Sequence, residues 1–298
     1  MNIELRHLRY FIAVAETLHF GRAAEKLHIS QPPLSQQIQI LEQQVGALLL
    51  ERNNRNVRLT PAGRQFLEQA WQIIAQVNQA ADRAARVHRG ELGEVTIGFT
   101  ASAPFIKSIS ASLLAFRQQH PDVHIQMVDT NTKQQIEPLL TGKLDIGIMR
   151  NTPLPDALDY QLLLREPLIA VVHQDHPLAS VAGESITVRQ LADEPFVFFD
   201  RKVGTALYDE ILLLLKRYDI DPYITQEVGE AMTIVGLVAA GLGVSILPAS
   251  FLRIKIDSVR YLALREPDAK TEVWLVTNRQ RALSASAQRM IHLMLQGQ

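Results

Sequence analysis

Cysteine does not occur anywhere in the 298 residues. Its absence excludes a disulfide framework, thiolate metal ligation and a cysteine nucleophile, and it fits a reducing compartment. An excess of one charge is also missing: 30 Lys and Arg stand against 31 Asp and Glu, a formal −1. A secretory leader cannot be read from the N-terminus. Glu4, Arg6, His7 and Arg9 crowd its first residues, and the apolar run 11–15 stops at Glu16, whereas a signal peptide needs an unbroken apolar stretch and a small-residue cleavage site. Residues 231–252 carry no charge, but Gly236, Gly241, Gly243 and Pro248 punctuate them. They read as a helix ending near Ala240, Gly241 as its left-handed cap, and a buried strand over 244–247. No membrane partner is therefore expected, and the protein is placed in the cytoplasm. At roughly 100–200 residues per domain, the length gives two domains or one large one.

Catalytic signatures are scarce as well. Gly241-Leu242-Gly243-Val244-Ser245-Ile246 imitates a dinucleotide fingerprint, but it lacks the third glycine and follows a helix where that motif needs a strand. There is no Gly-x-Ser-x-Gly elbow, no Gly-Lys-Ser/Thr phosphate loop and no His-Glu-x-x-His. His173-Gln174-Asp175-His176 holds metal-binding residue types. It sits between a strand pattern and Pro177, without third and fourth ligands at matching spacing, and reads as an exposed turn. No nucleophile, base and oxyanion donor assemble. The chain is expected to be no enzyme, with no catalytic residues, no metal and no cofactor.

What is present falls into three textures. Over residues 1–60, Leu5, Leu8, Phe11, Ile12 and Ala15 recur at helical spacing. An Ala-rich two-turn helix follows over 21–27, and a third helix starts at Ser30 as N-cap and runs through Gln44 to Gly46, with Pro32 and Pro33 tolerated in its first turn. On that third helix Leu34, Ile38, Leu41 and Val45 form one stripe, and Pro32, Gln36, Gln39 and Gln43 face away from it, with Ser35 at the flank. A neutral, hydrogen-bonding outer face suits a helix in the DNA major groove, where Gln can bond adenine bidentately; a Gln-rich solvated helix is the plainer alternative. Beyond it, Arg52, Arg55 and Arg58 lie on a short Asn-rich hairpin and would reach phosphates or the minor groove as a wing.

From Thr60-Pro61 a long helix is expected over 61–90, with Phe66, Ala70, Ile73, Val77, Ala80, Ala84 and Val87 spaced as a heptad seam. Such a narrow stripe wants a partner helix and so a dimer, unless the helix lies on its own domain. After Gly93 strand-like runs (95–99, 124–128, 144–149, 168–173, 196–199, 224–228, 244–247, 259–264 and 272–277) alternate with helical ones (104–118, 133–140, 205–218 and 231–240). That alternation predicts a parallel sheet with helices on both faces, and the Pro-containing stretch 151–159 a crossing between two lobes.

The runs Leu5-Arg6-His7-Leu8-Arg9-Tyr10-Phe11, Arg22-Ala23-Ala24-Glu25-Lys26-Leu27, Ser30-Gln31-Pro32-Pro33-Leu34-Ser35 and Leu59-Thr60-Pro61-Ala62-Gly63 together resemble the LysR-type transcriptional regulators. The match is close over the first 65 residues and looser through 95–99, 142–149, 176–179 and 241–248. The resemblance implies a multi-domain chain. A winged helix-turn-helix (1–60) and a linker helix for dimerisation (61–90) would precede a two-lobed α/β effector domain like a periplasmic binding protein (91–298; lobe 1 about 91–161 and 269–298, lobe 2 about 162–268). It implies promoter DNA carrying an inverted repeat as partner, a homodimer or homotetramer, and RNA polymerase as a further partner. By position, Gln31, Pro32, Ser35 and Gln36 would contact DNA, with Gln39 on the same face; many relatives carry Arg where Gln36 stands.

An effector site follows from elementary chemistry, since ligands on α/β sheets bind beyond strand C-termini and at helix N-termini. Thr100 to Ser102, Thr130 to Thr132, and Gly204-Thr205 are such places, and Arg150 ends a strand at the suspected crossing. Phe198 and Phe199 are candidates for a pocket wall or for core. The sequence most resembles the branch that senses products of aromatic catabolism such as muconate and benzoate, in which hydroxyls matching Ser102 and Thr132 hold the effector carboxylate. A small carboxylate effector is expected. A solute-binding protein sharing only the α/β body is the alternative, and it leaves residues 1–90 without a role. The balanced charge is itself an average: residues 1–90 hold 11 basic against 7 acidic side chains, the remainder 19 against 24.

Overall fold

The computed structural model describes residues 2–52, 57–180, 185–203 and 206–296, in two compact units, Met1–Arg86 and Val87–Gln298.

In the first unit, helices α1 (Leu5–Thr17), α2 (Phe20–Lys26) and α3 (Gln31–Val45) precede a hairpin of β1 (Leu50–Arg52) and β2 (Val57–Leu59), then α4 (Pro61–His88). Leu34, Ile38 and Leu41 of α3 are completely buried, as are Phe11, Ala23 and Leu49. Burial of each large apolar side chain here is worth roughly 1.5–3 kcal/mol. Val45 is only half-buried, because Gly46 (φ +76°) already turns the chain away in the left-handed region. The Thr-Pro-Ala-Gly start of α4 has a steric reason. Thr60 Oγ1 donates to Leu48 O and accepts from Gly63 N, both at 2.8 Å, while a Cβ on Gly63 would lie 2.0 Å from Leu49 O. Phe66 meets Phe11 edge-on at 5.4 Å and Ala70 is buried. Further along the expected seam Ile73, Val77 and Val87 are exposed, and Trp71 beside them.

In the second unit one sheet runs in the order β4 (Val123–Asp129), β3 (Gly93–Phe99), β5 (Ile146–Arg150), β12 (Lys270–Asn278), β6 (Leu158–His173), β11 (Val259–Leu264), β7 (Ser185–Ile186), with β10 (Ser245–Pro248) also on β6. β8 (Pro195–Phe199) pairs with β9 (Tyr223–Val228). Helices α5 (Lys107–Gln119), α6 (Ile136–Thr141), α7 (Ala206–Arg217), α8 (Ala231–Ala239) and α9 (Ala285–Gln296) complete it. The expected all-parallel sheet is corrected: β12 is antiparallel to β5 and β6, and β10 and β11 are antiparallel to β6. The cause is the length of β6, 16 residues, of which only the apolar end 168–173 is conspicuous in the sequence.

Residues 158–167 of β6 pair with β12, and from Leu168 onward its partners are β10 and β11. The two lobes therefore meet within this strand at Pro167 and Leu168, rather than near 161/162 or in the loop 151–157. Each lobe has its own core, around Ile97, Phe116, Ile146 and Met290 in lobe 1 and around Phe196, Ile211, Leu215 and Ile234 in lobe 2. The fingerprint-like glycines are structural. Gly241 (φ +79°) ends α8, and a Cβ on Gly243 (φ +147°) would lie 2.3 Å from Pro195 O, where Val244 N donates at 2.8 Å to tie the strands.

Candidate functional site

Two surfaces gather the residues singled out by the sequence, one in each unit. On α3, Gln31, Pro32, Gln36 and Gln39 are exposed and Ser35 is half-buried. Behind this face the helix is pinned by polar contacts. His7, 3% exposed, accepts at Nδ1 from Glu4 N (3.0 Å), and its Nε2 lies 2.9 Å from Gln37 Oε1; the first bond places the ring proton on Nε2, donating to Gln37. Glu42 Oε1 accepts from Leu49 N and Leu50 N at 2.9 and 3.0 Å, and its Oε2 meets Arg52 Nη2 at 3.1 Å. Arg52 also donates from Nη1 to Ser35 Oγ at 3.2 Å and lies over the Phe20 ring. Its guanidinium is thus turned back onto α3, whereas Arg58 is exposed on the outer strand. Arg55 lies outside the described residues. The sequence reading missed Glu42, although its place as the i+4 neighbour of Ile38, a charge beside the apolar stripe, was the signal that could have found it.

In the second unit Thr100, Ser102, Thr130, Thr132, Arg150 and Phe199 all line one cavity of about 330 Å³ at the junction of the lobes. Gly204 and Thr205 lie outside the described residues. Phe198 is core, edge-on to Tyr208 at 5.2 Å, while Phe199, Leu207 and Phe251 supply apolar wall. Ala206 and Ala231, the first residues of α7 and α8, line it too and turn two helix N-termini toward it.

The polar floor is a buried network. Arg150, 1% exposed, donates from Nη1 to Glu166 Oε2 and from Nη2 to Ser102 Oγ, each at 2.7 Å, and its backbone N donates to Thr132 Oγ1 at 3.3 Å. Glu166 also accepts from Ser250 N. Ser102 and Thr132, both buried, therefore use their oxygens as acceptors toward Arg150 and keep their O–H groups as donors for whatever enters. Thr130 instead donates to Gln134 Oε1 at 3.1 Å.

On one side the lobes are bridged by Asn131 Nδ2 to Val203 O at 2.8 Å and by Lys133 Nζ to Asp209 Oδ2 at 3.2 Å. Close to the junction, Glu210 accepts from Thr271 Oγ1 at 2.5 Å. Burial pushes its carboxyl up to about 7, against the opposing pull of Thr271 and Arg150. The sequence reading missed Glu166, Asn131 and Glu210, whose partners are remote in sequence and leave no local pattern. His173 ends β6 half-buried, Gln174 and Asp175 form the exposed turn after it, and His176 pairs with Glu194 at 3.1 Å. Among the described residues no group of His, Asp and Glu is arranged to hold a metal, and no helix is long and apolar enough to cross a membrane.

Two family models match the chain: "Bacterial regulatory helix-turn-helix protein, lysR family" over residues 5–64 and "LysR substrate binding domain" over 88–298. The chain is 58% identical over 295 residues to the uncharacterized HTH-type transcriptional regulator YnfL of Escherichia coli K12, covering 99% of both. It is 36% identical to the HTH-type transcriptional regulator BenM of Acinetobacter baylyi, covering 92% of this chain and 89% of that one. Among solved structures, full-length CbnR complexed with its target DNA superposes with a TM-score of 0.86 at 28% identity, covering 99% of each chain.

Proposed function

The chain belongs to the LysR family of DNA-binding transcriptional regulators with an effector-binding domain, and from that premise we propose how its own residues divide the work. Solute binding without a DNA role is disfavoured, because residues 5–64 match the helix-turn-helix model.

In this reading α3 enters the major groove. Gln31, Pro32, Ser35, Gln36 and Gln39 face base edges and backbone, and Arg58, with Arg55, meets phosphate from the wing. Arg52 acts by holding Ser35 in place instead of reaching phosphate. The exposed seam of α4 pairs with a second copy, and the two α3 helices of the dimer read successive major grooves about 34–36 Å apart. Assembly into a homotetramer, work in the cytoplasm and contact with RNA polymerase belong to the same reading.

The effector is a small carboxylate bound in the lobe junction. The observation that carries this is the pair of buried hydroxyls, Ser102 and Thr132, whose oxygens are already engaged by Arg150 and whose protons are free for an anion. A carboxylate there tightens the lobes, the pairs of subunits rotate, and the bend of the promoter DNA changes.

A gel-shift assay on the DNA adjoining the protein's own gene tests both halves. Binding should weaken steeply with salt, fall with Ser35→Ala combined with Gln36→Ala, and respond to a carboxylate only while Ser102 is intact. Affinity indifferent to salt and to both substitutions would sink the DNA half. Titration calorimetry over a carboxylate panel with no response below millimolar would sink the effector half.

A further inference from the structure

Around the same cavity the charges are unevenly placed. Arg150 is the single cation among its described lining residues, and its charge is already met by Glu166 at 2.7 Å. Two carboxylates, Asp129 and Glu230, also line the wall. Both are exposed, so they stand at the rim, and neither has an ion-pair partner among the described residues. Among the described lining side chains, the charge left without an ion-pair partner is therefore negative and lies at the mouth. Among the described residues the cavity floor offers the Ser102 and Thr132 hydroxyls as donors for an anionic group, with Arg150 Nε buried and unpartnered behind them.

A dicarboxylate would place one end on Ser102 and Thr132 and bring its other charge toward Asp129 or Glu230 with no further cation among the described lining residues to receive it, a like-charge contact in a site partly shielded from water. A ligand carrying a cationic donor at that end would instead turn both rim carboxylates into partners. We propose that the effector is a zwitterionic amino carboxylate: its carboxylate on the Ser102 and Thr132 hydroxyls, its carbon chain against Phe199, Leu207 and Phe251, and its ammonium at Asp129 and Glu230. This rests on the reading of the cavity as a carboxylate site and narrows it, setting the chain apart from a sensor of dianions.

Matched ligands that differ only in the far group decide the matter: pentanoate, 5-aminopentanoate and glutarate, extended to chains one and two carbons shorter and longer, titrated by calorimetry into the full-length protein. At the best chain length the amino carboxylate should bind about ten-fold or more tighter than the plain acid, and the diacid more weakly than either. Asp129→Asn combined with Glu230→Gln, both at exposed positions, should erase the amino preference and raise diacid affinity. A diacid that binds tightest to the unaltered protein, or an amino preference unchanged in the double variant, overturns the proposal while leaving the carboxylate site standing. If no member of the series binds, or if binding is indifferent to Ser102→Ala, the carboxylate reading falls and the proposal falls with it.

Discussion

The guanidinium of Arg52, on the first strand of the hairpin, holds the buried carboxylate of Glu42 on α3 at 3.1 Å. Glu42 is 7% exposed against 28% for Arg52, so the two ends of the bond are not equivalent. Through its other oxygen Glu42 also satisfies the backbone N–H groups of Leu49 and Leu50. One side chain thus fixes the wing to the helix whose outer face bears Ser35 and Gln36.

Glu42→Ala is therefore expected to cost about 2–6 kcal/mol, since it strands two buried N–H donors at roughly 1–3 kcal/mol apiece. Arg52→Ala should cost nearer 1 kcal/mol, because water reaches the partly exposed end of the pair. Urea unfolding of the full chain checks the order. Equal losses for the two variants would mean that the ion pair, and not the backbone donors, sets the stability.

The four helices of the first unit and all nine strand-like runs of the second were legible because their apolar periodicity is local. Ile38 and Leu41 show it on α3, as do Val95 and Ile97 on β3. The first half of β6 was not legible: Asp159, Tyr160, Gln161 and Arg165 interrupt it, and it exists because β12, more than a hundred residues later, pairs with it. α9 escaped notice for a similar reason, as a polar segment held by Ala287, Met290 and Met294 packing back into lobe 1. At the cavity, the hydroxyls at strand ends followed from the topology rule, whereas the pairing of Glu166 with Arg150 and the presence of Asp129 and Glu230 on one wall depend on which remote segments the fold brings together.

Gly63→Ala should be among the most damaging small substitutions in the first unit. The added methyl carbon would sit 2.0 Å from Leu49 O and 3.2 Å from the Leu59 side chain, and backbone cannot yield as a flexible side chain does. Overpacking of this kind costs typically about 1–3 kcal/mol, occasionally more. Thermal unfolding should show a loss in the upper part of that range, together with weakened DNA binding, because the start of α4 and the strand end at Leu49 are displaced together. An unchanged midpoint would show that the helix start is not seated against Leu49 in solution.

Glu166 and Arg150 form the most deeply buried ion pair of the cavity floor. Glu166→Ala leaves a guanidinium without its counter-charge and Ser250 N without its acceptor, so a loss of about 3–5 kcal/mol is expected. Arg150→Met combined with Glu166→Gln removes both charges together and should recover most of that loss. It should also abolish carboxylate binding. Denaturant unfolding and ligand titration on the same two variants separate the structural part of the pair from its part in recognition. A double variant less stable than Glu166→Ala would show that the network stabilises through more than its charges.

The carboxyl of Glu210 gives the second unit a dependence on pH with a defined sign. Its folded pKa of about 7 stands above the ordinary 4.5. The folded state therefore holds a proton that the unfolded state releases, and the slope of stability with pH is negative between those two values. The contribution is complete below about 4.5, declines as pH rises, and is gone once pH passes 7. Glu210→Gln keeps the shape and stays neutral, so its melting temperature should approach that of the unaltered protein at pH 4.5 and exceed it at pH 8, and the difference between the two isolates this group from all other titrations. The same ionisation adds negative charge near Arg150, whose field Glu210 feels. A carboxylate ligand should accordingly bind more weakly above pH 7 in the unaltered protein and lose that dependence in Glu210→Gln. Parallel melting curves for the two proteins across this window would mean that Glu210 is hydrated and ionised in the folded state, its bond to Thr271 notwithstanding.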